Sequence, residues 1–201
     1  MRVNKAIQNM LQNAKTGRDE GCCKIERREG RYNLPDNYRS QAFICEHLRN
    51  TIRLLITGRK PWPLFLHGEA GSGKTCAALC MFDWWGGRYA DYQDMCANLR
   101  LAMKGEAYSS GGYRIFEADI WRPWTKSNLT VLDDFGARQP TDFQYDVLKK
   151  AIDTRHQKPA VFISNLNLEQ IDALYDDRVA SRLSAGTIVE LKGDRRGEKV
   201  P

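Results

Sequence analysis

The run Gly68-Glu69-Ala70-Gly71-Ser72-Gly73-Lys74-Thr75 constrains this chain more than any other feature. It fits the pattern G-x-x-x-x-G-K-[ST], and its flanks fit too. Leu64-Phe65-Leu66-His67 reads as a buried strand before it, and Cys76-Ala77-Ala78-Leu79-Cys80-Met81 continues as a helix after it. Strand, glycine-rich turn and helix in that order make an anion cradle. The glycines let the backbone curl until successive N–H groups point inward. The helix adds the positive end of its dipole. The spacing predicts a phosphate-binding loop, or P-loop, over Gly68, Glu69, Ala70, Gly71, Ser72, Gly73, Lys74, Thr75 and Cys76. Lys74 would reach the β- and γ-phosphates and Thr75 would hold Mg²⁺, so ATP with Mg²⁺ is the expected cofactor.

A length of 201 residues suits one domain with a short arm. No apolar run approaches the length of a membrane span, and the polar start Met1-Arg2-Val3-Asn4-Lys5 is no signal peptide, so a cytoplasmic protein without membrane attachment is expected. The six cysteines show no C-x-x-C pair, and reduced, mostly buried thiols are the plain expectation. Residues 1–31 hold eight Lys/Arg against four Asp/Glu and so supply +4 of the formal +6 charge. A basic arm over residues 1–35 fits nucleic acid or a merely solvated tail equally well.

Pro35-Asp36 resembles a helix start, and Tyr38, Ala42, Cys45, Leu48, Ile52 and Leu55 recur at helical spacing until Gly58. Strands are expected at 63–67, 88–92, 129–132, 160–164 and 187–191. Helices are expected from the P-loop to Trp85, from a cap at Asp94 to Lys104, from Asp142 to Arg155, and as one short region over 168–183. Residues 105–113 read as a polar, flexible loop, and no element is assigned between 114 and 128. Trp84, Trp85, Trp121 and Trp124 are expected in the core, and His47, His67 and His156 show no ligand spacing. Alternating strands and helices predict an α/β fold: a five-stranded parallel sheet with helices on both faces.

A second half of the site follows the third strand, where Thr130-Val131-Leu132 runs into Asp133-Asp134. A carboxylate at a strand tip can meet the metal held by Thr75, so Asp133 is the expected metal partner and Asp134 the residue that polarises the attacking water. The fourth strand ends at Asn165, either a turn former or an amide that orients that water. Arg178 and Arg182 stand four apart on one helical face, either as an arginine finger for a neighbouring subunit or as a paired surface helix.

Together these runs resemble the AAA+ ATPases of the DnaC/DnaI helicase-loader and IstB transposition-helper group. The matching segments are Gly68–Thr75, Asp94–Arg100, Leu129–Ala137, Asp153-Thr154-Arg155, Phe162–Leu166 and Arg178–Gly186, within an AAA+ core over 36–201. The resemblance implies a P-loop NTPase core that works as ATP-controlled homo-oligomers on DNA. It implies a sensor role for Asn165 and a finger role for Arg182, with Arg178 as its companion. The arm is short for a loader, and the chain ends soon after the fifth strand, which implies no C-terminal helical lid. Arg195 or Arg196 would have to substitute for the sensor arginine that such a lid carries.

Lys104, Tyr108, Tyr113 and Arg114 flank the Ser-Gly loop. They suit phosphate contact plus base stacking, or else form an insertion with no partner. The leading expectation is a helicase loader acting on DNA, single-stranded rather than duplex, with a replicative helicase as partner. The alternatives are a transposition ATPase with a transposase as partner, a slow nucleotide-dependent adaptor and a P-loop small-molecule kinase. Asp133-Asp134, Asn165 and the Arg178/Arg182 pair speak against the kinase.

Overall fold

The computed structural model describes residues 46–193, without the side chains of residues 46 and 83–85. The arm over 1–35, the helix start with Tyr38, Ala42 and Cys45, the Cys22/Cys23 pair, Arg195 and Arg196, and the side chains of Trp84 and Trp85 lie outside what is described. The described elements are α1 (Glu46–Ile56), β1 (Leu64–Gly68), α2 (Lys74–Trp85), β2 (Arg88–Asp91), α3 (Tyr92–Lys104) and α4 (Glu117–Lys126). They continue with β3 (Thr130–Asp133), α5 (Asp142–Asp153), β4 (Ala160–Ser164), α6 (Leu168–Leu174), α7 (Asp177–Ser184) and β5 (Thr187–Leu191).

The five strands form one parallel sheet in the order β2-β3-β4-β1-β5. Side chains alternate across it, as the pleat requires. Leu64, Leu66, Val131, Val161, Ile163, Val189 and Leu191 pack against α1 and α2. Phe65, Leu132, Ala160 and Phe162 pack on the other face against α3 to α7. The expected stripe on α1 is met by Leu48, Ile52 and Leu55, all buried. The expected α/β sandwich is therefore the one found.

Four local expectations are corrected. Helix α3 is capped by Asp91 rather than Asp94: the Asp91 carboxylate accepts from the Gln93 and Asp94 amides. The span from 114 to 128 contains a helix, α4, despite Pro123 inside it. Trp121 and Trp124 hold it to the core, with the Trp124 indole donating to the Ala151 carbonyl at 3.2 Å. The region 168–183 is two helices, because Asp176 takes an extended backbone and its carboxylate caps α7 through the Val179 amide at 2.9 Å. The 105–113 stretch is closed by hydrogen bonds into a hairpin rather than left an open loop. Tyr108 pairs with Arg114, the Ser109 amide donates to the Tyr113 carbonyl, and the Ile115 amide donates to the Ala107 carbonyl.

Arg155 locks α4 to the sheet. It is buried, and its Nη1 donates to the carbonyls of Thr125 at 3.2 Å and Ser127 at 2.9 Å, while Nη2 reaches the Pro159 carbonyl. These are part-buried backbone groups at the end of α4 and in the strand connections, and the Pro159 carbonyl also accepts from the Thr130 amide at 3.3 Å. Burial lowers its pKa. Among the described residues, no helix is long and apolar enough to cross a membrane. Cys80 and Cys96 are buried thiols and Cys76 is half-buried, with Cys96 pushed up to about 11 by burial.

Candidate functional site

All strands run the same way, so the tips of β1, β3 and β4 meet along one edge of the sheet. His67 lies beside Ser164, Gly68 beside Leu191, and Asp91 beside Asp133. Open parallel sheets bind ligands along this edge.

The loop between β1 and α2 curls there. Gly68, Gly71 and Gly73 take φ values of 140°, 87° and 90°. Gly68 has no alternative, since a Cβ on it would sit 2.0 Å from the Leu191 carbonyl oxygen. Gly73 caps α2 with no side chain, and no acid stands in the first turn. The side chains of Asp91, Thr141, Asn167 and Asp176 cap α3, α5, α6 and α7. The N-terminus of α2 thus lacks the internal acceptor that those four helices carry, as an anion cradle requires.

Lys74 is buried and folded back over the loop. Its Nζ donates to the carbonyls of Gly68 at 2.7 Å and Glu69 at 2.8 Å, and reaches Ser72 Oγ at 3.4 Å. Burial pulls its pKa down, against the opposing pull of the Asp133 and Asp134 carboxylates. Lys74 and both acids at the end of β3, Asp133 in the strand and Asp134 just past it, therefore share one electrostatic neighbourhood.

Asp133 is the last residue of β3 and is buried. Burial raises its pKa, and hydrogen bonds from the Tyr89 and Thr75 hydroxyls oppose that rise. Tyr89 Oη stands 2.8 Å from Asp133 Oδ2. The Thr75 hydroxyl and the Asp133 carboxylate are hard oxygen donors brought together beside the cradle, the donor set that Mg²⁺ takes. The residues present fit Mg²⁺ bound with a nucleotide.

Asp134 is exposed and has φ 58°, a left-handed backbone uncommon outside glycine and tolerated best by Asn and Asp. The turn it makes is pinned to β4. The Ser164 hydroxyl donates to the Phe135 carbonyl at 2.7 Å, and a Cβ on Gly136 would crowd that same hydroxyl at 3.1 Å. Asn165 follows Ser164 directly and is exposed at the same edge.

The two arginines are carried by α7. Arg178 is exposed in the first turn of α7, and Arg182 is paired with Asp153 at the end of α5. Neither forms a hydrogen bond or ion pair with a P-loop side chain among those described. The hairpin residues form a third group. Tyr108 and Tyr113 are 62% and 79% exposed, so both rings are available to a partner. Arg114 lies over the Phe116 ring at 5.3 Å and packs onto Gly105, and Lys104 ends α3 beside it, exposed. A cavity of about 620 Å³, walled in part by Met95, Asn98, Tyr108, Ile115 and Trp124, opens beside the hairpin.

Sequence reasoning missed Tyr89, Ser164 and Asp153. Tyr89 shares a sheet face with Asp133, but only the strand order reveals that β2 neighbours β3. Ser164 and Asp153 act through tertiary contacts that carry no spacing signal.

No family model matches the chain, and no curated protein matches it in sequence. Solved structures match it in fold. The DnaC helicase loader has a TM-score of 0.60 at 18% identity, over 80% of this chain and 94% of that one. A DNA replication initiation factor gives 0.62 at 20%, over 80% and 51%. The replication initiator DnaA bound to AMPPCP and single-stranded DNA gives 0.64 at 19%, over 81% and 52%. The chain thus spans about half the length of the two initiators. The fold expected from the sequence resemblance is the one these proteins share.

Proposed function

We propose that this chain is an ATPase that loads a replicative helicase onto DNA, binding and hydrolysing Mg²⁺·ATP where its copies meet. The observation that carries the nucleotide reading is the meeting of Lys74, Thr75, Asp133 and Asp134 at one sheet edge, beside a helix N-terminus without a side-chain cap. The fold of the DnaC helicase loader, covered over nearly its whole length, supports the choice among P-loop functions.

Each residue then has a task. The loop amides of Gly68 to Cys76 hold the phosphates. Lys74 exchanges the Gly68 and Glu69 carbonyls for oxygens of the β- and γ-phosphates. Thr75 and Asp133 are the residues that would hold the metal, Asp133 directly or through water. A Mg²⁺ ion held there would neutralise charge that builds on the phosphates. Asp134 orients the attacking water and takes its proton as the γ-phosphate leaves ADP. Asn165 orients the same water from the tip of β4. Arg182, with Arg178 beside it, stabilises charge on the γ-phosphate of a neighbouring copy, which would make turnover depend on assembly.

Lys104, Tyr108, Tyr113 and Arg114 supply the DNA contact. Two exposed rings and two cations on a closed hairpin suit stacking on unpaired bases and pairing with phosphates, which favours single strands over duplex. The test is a pull-down from the source cell with ATP present. Recovery of a ring helicase supports loading. Recovery of a transposase instead moves the reading to a transposition ATPase.

A further inference from the structure

We propose that Tyr89 is a positioning residue for the metal-binding carboxylate Asp133, a deepening that rests on the nucleotide reading above. Strands β2 and β3 are parallel neighbours with Tyr89 opposite Val131 and Asp91 opposite Asp133. Tyr89 and Asp133 are therefore diagonal neighbours, and both lie on the face that carries the P-loop helix. Only a long side chain spans such a diagonal. Tyr89 does so, with its hydroxyl 2.8 Å from Asp133 Oδ2.

The contact has a chemical consequence. An ionised carboxylate has two oxygens and about four acceptor sites. Donors from Thr75 and Tyr89 reach Asp133 from two elements, α2 and β2. Together they hold the carboxylate plane and offset the cost of burying its charge. Its remaining acceptor sites would then be left for a metal ion. Hydrogen-bonding groups behind a ligating carboxylate commonly tune metal affinity. Thr75 is itself a metal partner in this account, whereas Tyr89 reaches Asp133 from a different element, β2.

A plainer account is that Tyr89 merely satisfies a half-buried phenol. The two accounts differ in what Tyr89→Phe does. Phe keeps the ring and its packing against α2 but removes the donor. The test is calorimetric titration of the chain with AMPPCP, in EDTA and in Mg²⁺, with a thermal melt to check folding. Positioning predicts that Tyr89→Phe binds AMPPCP in EDTA within twofold of the wild type and loses about tenfold of the Mg²⁺-dependent gain. An unchanged Mg²⁺-dependent gain overturns the proposal, as does an equal loss with and without Mg²⁺. A wild-type chain that gains nothing from Mg²⁺ overturns the metal-site reading itself, a result distinguishable because it appears before any substitution is made.

Discussion

Arg182 is ion-paired through Nε with Asp153 of its own chain, while its Nη1 donates to the Arg178 carbonyl at 3.2 Å. Both charged side chains remain more than a third exposed, so the pair is open to exchange. A finger for a neighbouring subunit would have to leave Asp153 on assembly. Mixing an inactive Lys74→Ala chain with an inactive Arg182→Ala chain forms some interfaces with one sound cradle and one sound arginine. Partial recovery of ATP hydrolysis is expected. No recovery in demonstrably mixed oligomers would make Arg182 a structural residue.

Asp133 and Asp134 should separate by role. Asp134→Asn keeps nucleotide affinity and loses about 100-fold or more in turnover, since the water loses its proton acceptor. Asp133→Asn raises the Mg²⁺ concentration needed for binding. Stopped-flow binding of a fluorescent ATP analogue, set beside phosphate release, separates the two. Normal hydrolysis by Asp134→Asn would move the base elsewhere.

The hairpin should carry the DNA contact. Helix α3 starts beside Asp133 and ends at Lys104, about 18 Å away at 1.5 Å per residue. Lys104→Glu with Arg114→Glu should weaken single-stranded DNA binding and flatten its salt dependence by about 1.4 in the log–log slope, for two lost phosphate contacts. Tyr108→Ala with Tyr113→Ala should weaken binding by about 1–3 kcal/mol per stacked base with the slope unchanged. Fluorescence anisotropy over a salt series reads both. If neither pair of changes alters affinity, the hairpin is not the contact.

Arg155 should be a stability residue. Arg155→Ala takes the charged donor from the part-buried carbonyls of Thr125, Ser127 and Pro159, of which Pro159 keeps the Thr130 amide, at about 1–3 kcal/mol for each one left unsatisfied. A loss of about 3 kcal/mol or more in urea unfolding is expected, and Arg155→Lys should restore only part, because an ammonium lacks the planar fork. A loss below 1 kcal/mol would mean that water replaces the guanidinium.

What the sequence revealed follows physical range. The P-loop, its strand and its helix are local, so Gly68–Cys76 and Asp133-Asp134 were legible from adjacent residues. The fourth and fifth strands were as legible, being short β-branched runs between turn formers. Helix α4 was not, since Pro123 masks its pattern, and its anchoring depends on distant partners: the core that takes Trp121 and Trp124, and Arg155. The break between α6 and α7 hinged on whether Asp176 caps or continues a helix, which short polar runs do not decide. Tyr89 and Asp153 depend on which elements become neighbours, and that is a property of the sheet order and helix packing rather than of local spacing.

The central claim is that Gly68–Cys76 is a nucleotide cradle read by Lys74. Its most direct test is calorimetric binding of AMPPCP in Mg²⁺ by the wild type and by Lys74→Ala. The account predicts saturable binding to the wild type, and at least about tenfold weaker binding once the charged donor is gone, the equivalent of one charge-assisted hydrogen bond. Wild-type chains that bind no nucleotide, or Lys74→Ala chains that bind it equally well, would contradict it.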